Sequence, residues 1–411
     1  MTDIFRTLGN RNFRLFFIGQ GISLIGTWMQ RIALPWLIYY KTGSPLLLGL
    51  VAFSGIAPSF ILAPIAGVLV DRWDRYRIVM ITQILSLIQA LMLVFCSLEG
   101  NISIGMIISL NIFLGIINAF EMPARQAFLT GLINDKNDYC SALSVNSTIV
   151  NAARLIGPAL AAIIISRFGE MPCFLVNAVS YLAVIVSLAM MSIKPASIRV
   201  ASHGVLYELK EGFVYACGLH PIKEVLLLYG LVCLSGWPCT ILMPAIAKDL
   251  LHGGAGTFSM LMTASGAGAL IGALLLGSRK NISGMDTVMA CATALLGIGI
   301  IALSFSKNLF TAMAMTALMG ACMMMLMTST ISLIQTIIED GKRGRIMGLY
   351  AMVFTGAAPT GSYLAGEMSS RLGTHQALVV GGLVCVIGAL VFVVRMYSLK
   401  IGTQDQCDYR I

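Results

Sequence analysis

Apolar segments of about 20 residues recur along the whole chain of 411 residues and leave very few folds open to it. A segment of about 20 apolar residues is long enough to cross a bilayer as an α-helix. Lipid offers the backbone no hydrogen-bond partner, and these segments are about twice as long as the strands of a membrane β-barrel. We therefore predict an all-α membrane protein with twelve transmembrane helices, at residues 14–40, 45–70, 76–98, 102–122, 140–166, 171–193, 221–247, 257–278, 286–305, 309–337, 346–370 and 374–396.

Composition and charge agree with a membrane protein and predict its orientation. The chain is 58% hydrophobic and only 11% charged, which excludes an ordinary soluble protein. Of the 27 Lys and Arg residues, 20 fall on the side of the two termini, five on the opposite side, and Arg31 and Arg154 within spans. The positive-inside rule therefore predicts cytoplasmic termini. The net charge of +9 reflects topology rather than nucleic-acid binding, since no basic cluster is interleaved with aromatic residues.

Sequence motifs for catalysis and metal binding are missing. The ten cysteines form no CxxC pair, so neither a disulfide framework nor a zinc site is indicated. No G-x-x-x-x-G-K-[ST] phosphate loop occurs, which excludes ATP as the energy source. The four histidines are isolated, and no nucleophile has a partner base. We expect no enzyme activity, no cofactor and no metal.

Residues 67–77, GVLVDRWDRYR, form a charged stretch between two apolar segments. The glycine is expected to let helices approach closely, and the arginines to keep the turn in the cytoplasm. The pattern G-x-x-x-D-R-x-x-R resembles the loop between helices 2 and 3 of the major facilitator superfamily of secondary transporters, with Asp74 where that family usually has glycine. The resemblance implies a gating loop, whose candidate residues are Gly67, Asp71, Arg72, Arg75, Arg77 and Arg345.

The same resemblance assigns a specific task to Asp71. It places the loop against the start of span 11, near Gly344 and Arg345. A carboxylate that faces a helix N-terminus is favoured by the unpaired backbone donors and by the helix dipole. We therefore expect Asp71 to act as a latch that forms only when the cytoplasmic side is closed.

The opening of the chain, from NRNFRLFF through TWMQRIALPW to EMPARQAFL, resembles one branch of the superfamily. This branch contains drug and siderophore exporters, including macrolide efflux proteins and the enterobactin exporter. Gly157 and Pro158 in span 5 are expected to bend the helix, and they resemble the antiporter motif G-x-x-x-G-P-x-x-G-G. Three glycines of that motif are replaced here, by Ala153, Ala161 and Ala162. The resemblance implies proton-coupled export by alternating access.

Weak internal repeats support a chain built from two halves. SRFG at residues 166–169 recurs as SRLG at 370–373, and SG at 54–55 recurs at 265–266. Parallel repeats of this length are how the superfamily builds its two six-helix halves. We therefore expect an N-terminal half at 1–193, a linker with an amphipathic surface helix at 194–220, a C-terminal half at 221–396 and a cytoplasmic tail at 397–411.

Polar residues inside the spans point to a substrate cavity. Gln20, Ser23, Thr27 and Arg31 share one face of span 1 by their spacing. A guanidinium near mid-membrane is costly unless it is paired or hydrated, so Arg31 is expected to face a water-filled cavity and to favour an anionic substrate. Alternatively, a fixed partner such as Glu121 or Glu367 neutralises it. The other candidate cavity residues are Ser147, Asn151, Arg154, Gln335 and Tyr363.

Two glutamates are candidates for proton coupling by their position. Glu121 and Glu367 lie within or at the border of spans, where a carboxylate can change its charge during transport. Glu121 and Arg125 are four residues apart, so they form either a local ion pair or part of a gate.

Three functional classes remain open to this sequence. The first is a secondary transporter that exports a small amphipathic compound, siderophore or drug-like, in exchange for protons. The second is an importer or a lipid flippase, and the third is a membrane receptor or assembly subunit, which the polar stripes disfavour. The expected partners are a small-molecule substrate, protons and the lipid bilayer, with no nucleic acid. The chain is expected to work as a monomer in the bacterial cytoplasmic membrane, with both termini in the cytoplasm.

Overall fold

The computed structural model describes residues 11–98, 103–132, 139–192, 220–279, 284–338 and 343–408. The predicted linker at 194–220 lies almost entirely outside these residues. Within them the chain is almost wholly helical. The long helices are α1 (Arg11–Thr42), α2 (Pro45–Arg72), α3 (Arg75–Leu98), α4 (Ile104–Gly131), α5 (Tyr139–Phe168), α6 (Met171–Ala189), α7 (His220–Ser235), α8 (Ala255–Gly277), α9 (Met285–Ser304), α10 (Leu309–Ile337), α11 (Arg343–Leu372) and α12 (Thr374–Asp408).

Eleven of the twelve predicted spans each overlap one long described helix, and span 7 falls on α7 and the short helical pieces that follow it. Among the described residues, ten stretches of helix are long and apolar enough to cross a membrane. The two long helices outside this set are α1 and α11, which carry many of the polar residues predicted to line a cavity. One detail of the prediction needs correcting. Span 4 was expected to end at residue 122, but α4 continues through Pro123 to Gly131.

The described residues group into two compact units. The first holds those within 1–42, 54–202 and 254–263, and the second those within 43–53, 203–253 and 264–411. The start of α2 therefore groups with the second unit, and the start of α8 with the first. The half boundaries expected from the sequence stay a prediction.

The sequence repeat extends to helix packing within each unit. In the first unit a Cβ on Gly115 of α4 would lie 2.6 Å from the carbonyl oxygen of Gly55 on α2. In the second unit a Cβ on Gly320 of α10 would lie 2.0 Å from the carbonyl oxygen of Ser265 on α8. Small residues allow such close approach between membrane helices. Equivalent helix pairs thus pack through equivalent small residues.

The repeated SRFG and SRLG segments end α5 and α11 in the same way. Gly169 and Gly373 follow these helices with φ of +79° and +94°. Their N–H groups bond the carbonyls of Ile165 and Ser369, at 3.1 and 3.0 Å. Only glycine adopts this left-handed backbone without steric cost, which explains why it recurs at both positions.

The sequence SGWPC, at residues 235–239, interrupts span 7, since glycine and proline both weaken a helix interior. Helix α7 ends at Ser235, and the chain continues through the short helices Pro238–Ile241 and Met243–Ala245 into a π-helical turn, Ile246–Leu250. At the break, the N–H of Trp237 bonds the carbonyl of Val232 at 2.9 Å, a wider turn than that of an α-helix. The Trp237 ring packs edge-on against Phe354 of α11, with centroids 5.0 Å apart.

Candidate functional site

Two arginines and one tryptophan form the most unusual cluster of the first unit. The guanidinium carbon of Arg31 lies 5.2 Å from the ring centroid of Trp28, one helical turn before it on α1. The guanidinium carbon of Arg154, on α5, lies 5.7 Å from the same centroid. Both distances are typical of cation–π contact. We call Trp28, Arg31 and Arg154 the arginine–tryptophan cluster.

A glycine brings the two helices of this cluster together. A Cβ on Gly157 of α5 would lie 2.4 Å from the Cβ of Trp28 on α1, so only glycine allows this approach. Arg154 is one turn before that glycine, which carries its side chain to the same indole. The sequence analysis assigned Gly157 and Pro158 to a helix bend, and the bend stays a prediction. The close approach is what the structure adds.

The arginine–tryptophan cluster carries positive charge without a paired carboxylate. Neither Arg31 nor Arg154 forms an ion pair with any residue that the structure describes. Arg31 is exposed, yet Glu121 and Arg125 on α4 are near enough to interact with it electrostatically. Glu121 itself pairs with Arg125, at 3.4 Å between Oε1 and Nε. Glu121, one of the carboxylates proposed as a fixed partner of Arg31, therefore forms its ion pair with Arg125 instead.

Beside the cluster lies a buried network of side-chain amides that the sequence analysis only partly foresaw. Asn177 of α6 donates to Gln30 of α1 at 2.8 Å, and Gln30 donates to Gln89 of α3 at 3.3 Å. Thr27 donates to Asn177 at 3.5 Å. The Gln89 Nε2 atom has no hydrogen-bond partner among the described residues. We call Gln30, Gln89 and Asn177 the amide network.

The remaining candidate cavity residues of the first unit have mixed surroundings. Gln20 and Ser23 are both buried, so each offers little surface to water. Their role in a cavity stays a prediction. Ser147 is exposed, and the Asn151 side chain donates to its carbonyl at 2.9 Å, within α5.

In the second unit, both candidate cavity residues are exposed. Gln335 lies near the end of α10, and Tyr363 lies on α11. The Tyr363 ring is 6.3 Å from the ring of Phe53, between centroids. Neither residue has an environment that excludes a cavity role, and that role stays a prediction.

The two candidate carboxylates form the same kind of local ion pair in different surroundings. Glu121 and Arg125 are four residues apart on α4, with side chains only 11% and 26% exposed. Glu367 and Arg371 are four residues apart on α11, with side chains 28% and 77% exposed. An ion pair in which water reaches the cation freely contributes little. The structure therefore separates an interior pair from a largely solvated one.

The charged loop is fixed to the rest of the first unit by two of its residues. The Arg75 guanidinium donates to the carbonyl of Ala127 on α4 at 3.4 Å, and the Tyr76 hydroxyl donates to the carbonyl of Leu188 on α6 at 3.2 Å. Arg72 and Arg77 are exposed. These contacts hold the loop beside the C-terminal ends of α4 and α6.

Three of the gating-loop predictions remain open or unsupported. No described atom lies within 4 Å of a Cβ placed on Gly67, so the close approach expected of this glycine is not seen among the described residues. The side chains of Asp71 and Arg345 lie outside what the structure describes. The latch is therefore still a prediction.

Asp74, where the resembling family usually has glycine, caps α3. Its carboxylate accepts a hydrogen bond from the N–H of Tyr76 at 3.0 Å. We expect Asp74→Ala to lower the free energy of unfolding by about 1 kcal/mol, because an N-terminal donor loses its acceptor. Asp74→Asn is the matched control, since asparagine caps equally well. Thermal unfolding of the purified variants measures the difference, and equal loss in both would show that the charge rather than the cap matters.

Comparison with known proteins agrees with this architecture. A family model described as transmembrane secretion effector matches residues 2–408. The chain belongs to this family of major facilitator transporters. It is 26% identical to the staphyloferrin A transporter of Staphylococcus aureus, over 94% of this chain and 98% of that protein. It is 23% identical to macrolide efflux protein A of Streptococcus pyogenes, over 92% and 94%.

Solved structures support this fold. A bacterial homologue of the human lysosomal transporter spinster, solved in an inward-facing and unoccupied conformation, superposes with a TM-score of 0.70. The alignment covers 93% of this chain and 96% of that one, at 15% sequence identity. The chain therefore has the major facilitator fold, and its family and the relatives above make it a multi-pass membrane transporter rather than an enzyme.

The second unit contains a similarly close helix contact without an arginine beside it. A Cβ placed on Gly361 of α11 would lie 2.1 Å from the carbonyl oxygen of Leu234 on α7, whereas a Cβ placed on Gly157 would meet the Cβ of Trp28. Ala358 stands three residues before Gly361, as Arg154 stands before Gly157. A close contact at such a glycine therefore does not require an arginine one turn before it.

Proposed function

We propose that this transporter exports a small amphipathic compound, siderophore or drug-like, by proton antiport with alternating access. The observation that carries the proposal is a whole-length similarity to relatives named as a staphyloferrin A transporter and as a macrolide efflux protein. Arg31, which is exposed, and Arg154, which is half-buried, support a polar compound rather than a purely apolar one. The termini are proposed to lie in the cytoplasm of a bacterial cell, on the grounds of the charge distribution.

Coupling to protons is proposed to use Glu121. Its side chain is largely buried and paired with Arg125, and it interacts electrostatically with Arg31. When a proton neutralises this carboxylate, Arg125 loses its partner and the net positive charge around Arg31 rises. Protonation of Glu121 and binding of a ligand at the arginine–tryptophan cluster therefore influence each other through charge. Glu367 is the weaker candidate because its partner is mostly solvated.

Deletion and restoration of the gene test the direction of transport. We expect the exported compound to accumulate in the cytosol of the deleted strain and to return to the medium when the gene is restored. Comparison of both fractions by mass spectrometry identifies that compound. A compound that is instead depleted from the cytosol of the deleted strain would indicate import. A change confined to the membrane lipids of that strain would indicate a flippase.

The latch proposal has its own test. Asp71→Asn removes the charge that is proposed to favour closure of the cytoplasmic side. A carboxylate at a helix N-terminus contributes about 0.3–1 kcal/mol, so we expect the closed population to fall about two- to fivefold. Thiol labelling of cysteines introduced on the cytoplasmic side should become faster at unchanged expression. Unaltered labelling in Asp71→Asn would contradict the latch. Asp74→Asn, which removes the same charge from an exposed residue of the same loop and keeps the cap of α3, is the control for nonspecific effects.

A further inference from the structure

We propose that the arginine–tryptophan cluster binds a small organic anion with two or more carboxylate groups. The inference rests on the proposed function, because it names the chemical class of the transported compound. It concerns Trp28, Arg31 and Arg154, all within the first unit. The relevant chemistry is two guanidinium groups that share one aromatic ring and have no carboxylate of their own.

The first argument is the state of the charges. Two cations near one indole repel each other, and the electrons of a single ring offset that repulsion only in part. In most proteins a neighbouring carboxylate would neutralise them. Here the nearest described candidate, Glu121, is paired with Arg125. A bound anion supplies the missing negative charge.

The second argument is geometry. Both guanidinium carbons lie within 6 Å of the same ring centroid, so one compact molecule can reach both. A guanidinium presents a planar set of donors that matches a carboxylate with two parallel hydrogen bonds. Two guanidiniums therefore match two carboxylates on one small scaffold, and the described residues leave part of the Arg31 side chain uncovered.

The third argument comes from a helix contact in the second unit. A comparably close contact forms between α7 and α11, where a Cβ placed on Gly361 would lie 2.1 Å from the carbonyl oxygen of Leu234, and Ala358 stands three residues before that glycine as Arg154 stands before Gly157. Because this helix contact forms without an arginine one turn before its glycine, close packing by itself does not account for Arg154. A charged group in a membrane segment that packing does not require points to a ligand.

Benzene-1,3,5-tricarboxylate is the probe for this proposal, and its neutral triamide is the matched ligand control. The full chain is titrated in phosphatidylcholine nanodiscs by calorimetry, with no proton gradient. We expect saturable binding of the tricarboxylate and none of the triamide. Arg31→Gln and Arg154→Gln should each weaken binding about 10- to 100-fold, the effect of losing one charge-assisted contact.

Two exposed arginines on the same helices provide matched controls. Arg14→Gln on α1 and Arg167→Gln on α5 remove the same charge away from Trp28 and should leave binding unchanged. Salt should weaken binding to the wild type more than to either cluster variant, since an ionic contact is screened. Arg31→Lys keeps the charge but loses the planar donor set, so its binding should fall between wild type and Arg31→Gln.

The proposal is overturned if the wild type shows no saturable binding up to about 10 mM tricarboxylate, or if the cluster variants bind like the controls. A lipid headgroup is the other source of anions. If phosphatidylglycerol in the nanodiscs abolishes tricarboxylate binding in the wild type, the site holds a lipid and the proposal also fails. Because no gradient is present, a failure of proton antiport leaves this result unaffected, and the two proposals fail independently.

Discussion

Replacement of Glu121 by glutamine is expected to abolish accumulation driven by a proton gradient. The side chain keeps its size but can no longer exchange a proton, so Arg125 remains without a charged partner in both states. In inside-out vesicles with an acidic lumen, the wild type should accumulate the exported compound about tenfold per pH unit, for one proton exchanged per molecule. Glu121→Gln should show no accumulation above equilibration.

Glu367→Gln is the matched control for this experiment. It removes the same group from the same kind of pair, four residues from an arginine, but that arginine is 77% exposed. We expect this variant to retain most of the accumulation. The membrane potential is clamped with potassium and valinomycin, so that only the pH gradient drives accumulation of the compound. Accumulation by Glu121→Gln at the wild-type level would contradict the assignment, and loss in Glu367→Gln alone would transfer the role to that residue.

Replacement of Gly268 by alanine is expected to cause the largest loss of folded protein. A Cβ at this position of α8 would lie 1.8 Å from the carbonyl oxygen of Ala317 on α10, and 2.6 Å from its carbonyl carbon. A side-chain neighbour can rotate away, but a backbone carbonyl inside a helix cannot. The helices must separate, and we expect a loss of about 3 kcal/mol or more.

Gly277→Ala tests whether this loss is specific to the helix contact. Gly277 ends the same helix, and no described atom lies within 4 Å of a Cβ placed there. Both variants remove a glycine from α8, so effects of helix propensity are shared. Unfolding temperature and size-exclusion profile in detergent measure the outcome. A Gly268→Ala protein that is as stable as Gly277→Ala would contradict the packing described for α8 and α10.

The spans and the arginines were predictable because each depends on local chemistry. A run of about 20 apolar residues crosses lipid as a helix whatever surrounds it, so the span positions followed from the sequence. Charge inside such a run is costly, which singled out Arg31 and Arg154 before any contact was known. The spacing of Glu121 and Arg125 likewise predicted an ion pair as one of two alternatives, and the pair forms.

Helix partners were harder to predict because they depend on residues far apart in the chain. Glycines occur in nearly every span, and only the packed structure distinguishes Gly157, which meets Trp28, from Gly67, which meets no described atom. Asn177 lies in an apolar run and was passed over, although a polar amide in mid-span was a usable signal. Its pairing with Gln30, on another helix, was not foreseeable.

The sequence alone determined that this chain is a bundle of membrane helices, with a charged loop after the second and two arginines within spans. It did so because the bilayer acts on every segment separately, through length and hydrophobicity. Tertiary structure decided that both arginines meet on Trp28 while Glu121 pairs with Arg125. Those contacts arise from the approach of helices over a few ångströms, and they depend on small residues and side-chain shapes that no single segment contains.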